Sequence, residues 1–91
     1  MTIYLFHCTP YLEDEPLRIG SRAITEFIKN SNPWITLHGH SHSAVERMEG
    51  KFVFDIGSTK SGLVGAGNDP YVLVFLTLDI KNRIMERHKI Y

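Results

Sequence analysis

Three of the chain's five histidines stand at alternate positions in Leu37-His38-Gly39-His40-Ser41-His42. In extended chain, side chains two residues apart point the same way, about 6.5–7 Å from each other. Gly39 and Ser41 add little bulk, so the backbone can turn there and the imidazoles can converge. Neutral imidazole is the commonest protein metal ligand and suits zinc, copper, iron and nickel. A His-x-His at a strand end can hold one cation between two nitrogens, or offer one nitrogen to each of two neighbouring cations. The competing reading is a set of loop histidines with ordinary hydrogen bonds. Three of them at alternate positions favour the metal.

The elements that must position these side chains follow from patterning. The apolar run at 34–37 ends before Gly39 and Ser41 and reads as a buried strand entering a loop. Residues 2–6 read as a second short strand, buried on both faces and closed by Pro10, which cannot donate to a ladder. The acidic Glu13-Asp14-Glu15 reads as a solvated loop, with Asp14 facing a site near His7 as the sharper alternative. A helix is expected over 21–30, with Ala23, Ile24, Phe27 and Ile28 as its apolar stripe. Gly20-Ser21 starts it without a capping box, and Asn30, Asn32 and Pro33 end it. Runs at 44–48 and 52–56 flank Glu49-Gly50-Lys51, a hairpin signal. Residues 57–68 read as a Gly- and Ser-rich loop, with no Lys-Ser/Thr after Gly62 to make a P-loop. Gly65-Ala66-Gly67 is too short for a dinucleotide fingerprint. Residues 71–78 and 83–91 form a second hairpin around Asp79-Ile80-Lys81-Asn82.

This pattern predicts one α/β domain over residues 1–91, with about six strands in a sheet and one main helix. One helix cannot cover both faces of such a sheet, so another chain or self-association is expected to complete it. Composition sets further bounds. Hydrophobic residues make up 43% and charged residues 22%, as in a folded globular chain. Ten basic residues balance ten acidic ones, which argues against a nonspecific nucleic-acid grip. Cys8 is the only cysteine, so no disulfide forms within the chain and a reducing compartment is the simplest expectation. No apolar stretch approaches the roughly 20 residues that span a bilayer, and the start lacks the features of a secretory signal. The default localisation is cytoplasmic.

At the motif level the chain resembles the C-terminal half of calcineurin-like metallophosphoesterases. His7-Cys8-Thr9-Pro10 is similar to that family's strand-end His-x-x-Pro, and Gly39-His40-Ser41-His42 matches its Gly-His-x-His. Asp55-Ile56-Gly57-Ser58 falls where the family often has an Asn-Pro-Gly-Ser-like segment. The likeness covers nearly the whole chain. It implies that His7 and His40 bind one ion of a two-metal site and His42 the other, with manganese, iron, zinc or nickel as the metal. It also implies a phosphomonoester or phosphodiester substrate, hydrolysed by water activated between two cations about 3.5–4 Å apart.

The family's first half supplies Asp-x-His, Gly-Asp-x-x-Asp and Gly-Asn-His motifs, and none has a counterpart here. Catalytic metal sites usually keep about three protein ligands per ion. The matched residues give one ion two imidazoles and the other a single one, with no bridging carboxylate. His38 is a further nitrogen, at a position that is not a usual ligand in the family. The chain alone is therefore expected to bind at most one ion and to hydrolyse phosphate esters poorly. A dinuclear centre requires a separate N-terminal-half polypeptide, while a homo-oligomer is the other expected assembly. The alternatives are a non-catalytic metal-binding or oligomerisation remnant and a histidine-triad nucleotide hydrolase. The triad class wants bulky apolar residues where Gly39 and Ser41 stand, and it leaves His7 and Pro10 unexplained. Lesser candidates take bland readings: Cys8 a small buried residue, His88 a solvated one, Trp34 and Phe27 core. Ser58, Thr59 and Lys60 read as a solvated loop before a phosphate contact.

Overall fold

The computed structural model describes residues 1–13, 15, 20–39, 44–65 and 70–91. Its elements run β1 (Ile3–Phe6), α1 (Arg22–Ser31), β2 (Ile35–His38), α2 (Ala44–Arg47), β3 (Val53–Ile56), β4 (Thr59–Leu63), β5 (Leu73–Asp79) and β6 (Ile84–Ile90). The six strands do not share one sheet. Four form a sheet in the order β1-β2-β4-β3, and β5 pairs with β6 as a separate two-stranded ribbon. β1, β2 and β4 are parallel, while β3 runs antiparallel to β4.

Strand parity assigns the two faces of the larger sheet. Phe6, His38, Leu63, Phe54 and Ile56 share one face, where α1 supplies Ile28, and α2 with the turn after it supplies Ala44, Val45 and Met48, to a common core. Leu5, Leu37 and Gly62 share the other, which the ribbon covers at Gly62 and leaves open at Leu5. A Cβ on Gly62 would stand 2.4 Å from Met85 Sδ and 3.3 Å from Leu76 Cδ1, so this glycine permits the close approach of ribbon to sheet. The uncovered sheet expected from one helix is thus only partly realised.

Ser21 caps α1, its Oγ accepting from Ile24 N–H at 3.2 Å, and Asn32 closes the helix in the left-handed region at φ 47°. The expected apolar stripe is only half correct. Ile28 and Thr25 are buried and Ile24 partly so, but Ala23 faces outward and Phe27 is 48% exposed. Phe27 instead joins Tyr4 and Phe6 in an aromatic group at the edge of the sheet.

The hairpin expected over 44–56 is corrected. Residues 44–47 are helical because Ala44, Val45 and Met48 fall on one buried side while Glu46 and Arg47 face out. Glu49-Gly50-Lys51 is the end of that helix, with Gly50 at φ 87° donating to Val45 O at 2.8 Å. The true hairpin joins β3 to β4 through Gly57 and Ser58, so part of the expected loop over 57–68 is strand. Its polar letters concealed this. Thr59 donates to Pro33 O at 2.6 Å and Ser61 meets Thr36 Oγ1 at 2.5 Å, which lets both hydroxyls be buried.

The expectation that β1 is buried on both faces also fails, since it lies at the edge of the sheet and Leu5 is 78% exposed. The second hairpin is present as expected. Asp79 closes it by accepting from Asn82 N–H at 3.2 Å and from Asn82 Nδ2 at 2.9 Å, and these bonds lower the carboxyl's pKa. Trp34 is a clamp rather than simple core: its Nε1 donates to Ile80 O at 2.7 Å while Arg83 stacks 4.1 Å from its ring centre. Among the described residues no helix is long and apolar enough to cross a membrane.

Candidate functional site

The carboxyl ends of the parallel strands β1, β2 and β4 lie side by side at one end of the sheet. In open α/β sheets that end is where loops gather to make binding crevices. The segment following β1 is His7-Cys8-Thr9-Pro10, and the segment following β2 opens with Gly39.

These two segments are tied together. Gly39 N–H donates to Phe6 O at 3.3 Å, extending the strand ladder by one residue. Thr9 Oγ1 donates to Gly39 O at 3.2 Å. A Cβ on Gly39 would lie 3.5 Å from His7 O, so the two backbones run in contact there. His7 itself is exposed. His40 and His42, and Asp14 of the acidic loop, lie outside the described residues. Among the described residues no three His, Cys, Asp or Glu side chains gather as a metal-holding group.

His38 does something other than offer a metal nitrogen. Its ring is 2% exposed and lies parallel to the Phe6 ring at 5.1 Å. Nδ1 is 2.9 Å from Cys8 O and Nε2 is 2.8 Å from Thr36 Oγ1. A carbonyl only accepts, so Nδ1 carries the proton and donates it to Cys8 O. Burial lowers the His38 pKa, against a smaller raising effect of that same carbonyl bond. The ring is therefore neutral, and Nε2 accepts from the Thr36 hydroxyl. Thr36 Oγ1 in turn accepts from Ser61. A directed chain thus runs Ser61 to Thr36 to His38 to the Cys8 carbonyl, linking β4, β2 and the segment that bears His7. Thr36 and Ser61 were not singled out in the sequence. The alternation of Thr36 with His38 on one face of a buried strand was the available signal.

The end of β4 has its own fastening. Arg87 on β6 donates from Nε to Val64 O at 2.7 Å, contacts Gly65 O, and reaches Glu46 Oε1 at 3.0 Å. Lys89 meets the same carboxylate at 3.1 Å. Burial would raise the Glu46 pKa, but hydrogen bonds from Lys89, from its own backbone N–H and from Arg87, with the Arg87 charge, together outweigh it and hold it below the usual value.

The remaining candidates are relocated. Cys8 is exposed, not buried. His88 is half-buried, stacked on Phe75 at 4.9 Å and 2.9 Å from Thr77 Oγ1, rather than solvated. Ser58 precedes β4, which places it at the amino end of the parallel strands, roughly 13 Å of strand from the histidine end. It is engaged there, its carbonyl accepting from Arg83 at 2.7 Å. Thr59 is buried on Pro33, and Lys60 pairs with Asp55 at 2.6 Å. None of these three faces His7.

Compared with models of known protein families, with curated proteins and with solved structures, the chain yields no significant match.

Proposed function

We propose that this chain carries the imidazole half of a divalent-metal phosphoesterase centre. In this reading His7 and His40 share one cation, while His42 addresses a second position that another polypeptide must complete with carboxylates. The supporting observation is the tie between the segment bearing His7 and Gly39, made by the Gly39, Thr9 and His38 hydrogen bonds. Ligands from two strand ends meet only where their backbones do.

The donor chemistry fits one ion and not two. Imidazoles suit zinc, nickel or iron, and manganese with less selectivity. Without a bridging carboxylate, two cations would repel each other unscreened. A bound divalent cation supplies Lewis acidity toward a phosphate-ester oxygen and lowers the pKa of a bound water. The chain's part is to present imidazole nitrogens to that cation. The assembled pair acts as the hydrolase, in a reducing, cytoplasmic setting consistent with the single thiol.

The test is metal content after dialysis against Mn²⁺, Zn²⁺ or Ni²⁺, with manganese-dependent cleavage of a nitrophenyl phosphodiester, for the chain and His40→Ala. At most one ion per chain is expected, bound about tenfold or more weaker in the variant, with cleavage near background in both. Equal metal binding in the two proteins would sink the site. Strong cleavage by the chain alone would overturn the ligand count.

A further inference from the structure

Both ring nitrogens of His38 are taken up inside the fold. Phe6 lies parallel to the ring with centres 5.1 Å apart, Nδ1 meets Cys8 O at 2.9 Å, and Nε2 meets Thr36 Oγ1 at 2.8 Å. The residue is 2% exposed, so water does not compete for either nitrogen. A side chain held on three sides is a rigid support for the carbonyl it touches.

That carbonyl belongs to the residue after His7. On the other side of His7, Phe6 O accepts from Gly39 N–H at 3.3 Å. The carbonyls before and after His7 are therefore held by consecutive residues, Gly39 and His38, at the end of β2. His7 itself is exposed, and its backbone runs against Gly39, whose Cβ position would lie 3.5 Å from His7 O. Further along, Thr9 O accepts from Ser21 N–H at 2.9 Å and Thr9 Oγ1 donates to Gly39 O at 3.2 Å. Loss of the His38 donor would thus loosen the Cys8 peptide without detaching the whole segment. An exposed ligand whose backbone is already fixed has less freedom to lose when a cation binds.

We infer that His38 is the positioning residue for His7: its Nδ1–H holds the Cys8 carbonyl and so keeps residue 7 beside Gly39, the residue that leads into His40. The inference rests on the metal reading, because a ligand must exist before it can be positioned. It goes further by dividing the work within His38-Gly39-His40, where the first imidazole braces the neighbouring segment and the second binds. The chemistry of the brace is specific. Asparagine carries an amide nitrogen near the place of Nδ1 and can still donate to Cys8 O. Glutamine carries its amide one bond further out, near Nε2 and Thr36, and leaves the carbonyl unheld.

The test is the Zn²⁺ affinity of the full chain, measured by competition with a chromophoric chelator, in a double-mutant cycle between residues 7 and 38. His7→Ala and His38→Gln should each weaken binding about tenfold. Placed in the His7→Ala background, His38→Gln should add less than about twofold, because the ring it positions is already gone. A merely structural loss would weaken both backgrounds alike. His38→Asn should bind within about twofold of the parent with an unchanged far-ultraviolet spectrum, and it carries the test if His38→Gln does not fold. A His38→Gln chain that binds like the parent, or is weakened equally with and without His7, overturns the inference and leaves the metal reading standing. So does a folded His38→Asn chain that has lost about tenfold in affinity. A parent chain that binds no Zn²⁺, or binds it as tightly after His7→Ala, removes the metal reading and this inference with it.

Discussion

The two faces of the four-stranded sheet are covered by different means. On the helix side, Ile28 and Val45 are completely buried, and a directed hydrogen-bond chain from Ser61 to Cys8 is sealed beneath them. On the ribbon side, cover depends on a few fasteners at the margins: Trp34 on Ile80, Arg83 on Ser58, Arg87 on Val64 and Lys89 on Glu46. Between them lie Gly62, Met85 and the open groove from Leu5 to Phe75. A two-stranded ribbon has little apolar area to contribute and is marginal alone. An extended core therefore holds the helix side, whereas the ribbon side joins a small apolar seam of Ile35, Leu37, Leu76 and Met85 around Gly62 to individual polar contacts at its margins.

Truncation should separate the two most strongly. Ile28→Ala, inside the helix-side core, should cost about 3–4 kcal/mol, a large part of what a chain this small can have. Leu73→Ala, on the exposed side of the ribbon, should cost under about 0.5 kcal/mol. Urea titration of both variants measures the contrast, and equal losses would erase it.

Over-packing tests the seam between ribbon and sheet. Gly62→Val pushes a side chain into Met85 and Leu76 and should cost about 2 kcal/mol. Because the ribbon is held at its margins, the loss should register first as faster amide exchange along β5 and β6, with α1 unchanged. Uniform acceleration over the whole chain would mean that the two sides unfold as one.

The smallest expected effect is with pH. Burial lowers the His38 pKa in the folded chain, while the unfolded chain keeps the ordinary value of 6.5. As pH falls, the unfolded state takes up the proton first, so stability is complete above that value. It is lost as pH drops through 6.5 towards the folded-state pKa. The urea midpoint should therefore fall between pH 8 and pH 5.5, and the slope should flatten in His38→Asn. An unchanged slope in that variant would remove His38 from the account.

Much of this arrangement is legible in the sequence. The helix after Ser21, the strand entering Gly39 and the hairpin around Asp79 each announce themselves by local chemistry: a capping hydroxyl, an apolar run before a glycine, a turn-forming side chain. The strand β4 did not, because Thr59 and Ser61 read as loop until their hydroxyls find Pro33 and Thr36 across the fold. Helix α2 was likewise hidden, since four residues carry too little periodicity to distinguish it from a strand. At the candidate site the histidine cluster is plain from spacing, but the task of His38 is not. An imidazole two residues from a proposed ligand looks the same in sequence whether it binds a cation or fastens a neighbouring carbonyl.

By itself, then, the sequence determined most of the regular segments, β4 and the helical form of α2 excepted, and that donor-rich stretches follow two of them. Those properties depend on neighbours within a few positions along the chain. Tertiary structure alone decided that six strands divide into two sheets, that β1 lies at an uncharged edge, and that His38 is spent on Cys8. Each of those depends on partners dozens of residues away, whose hydrogen bonds and volumes meet only after the chain has closed on itself.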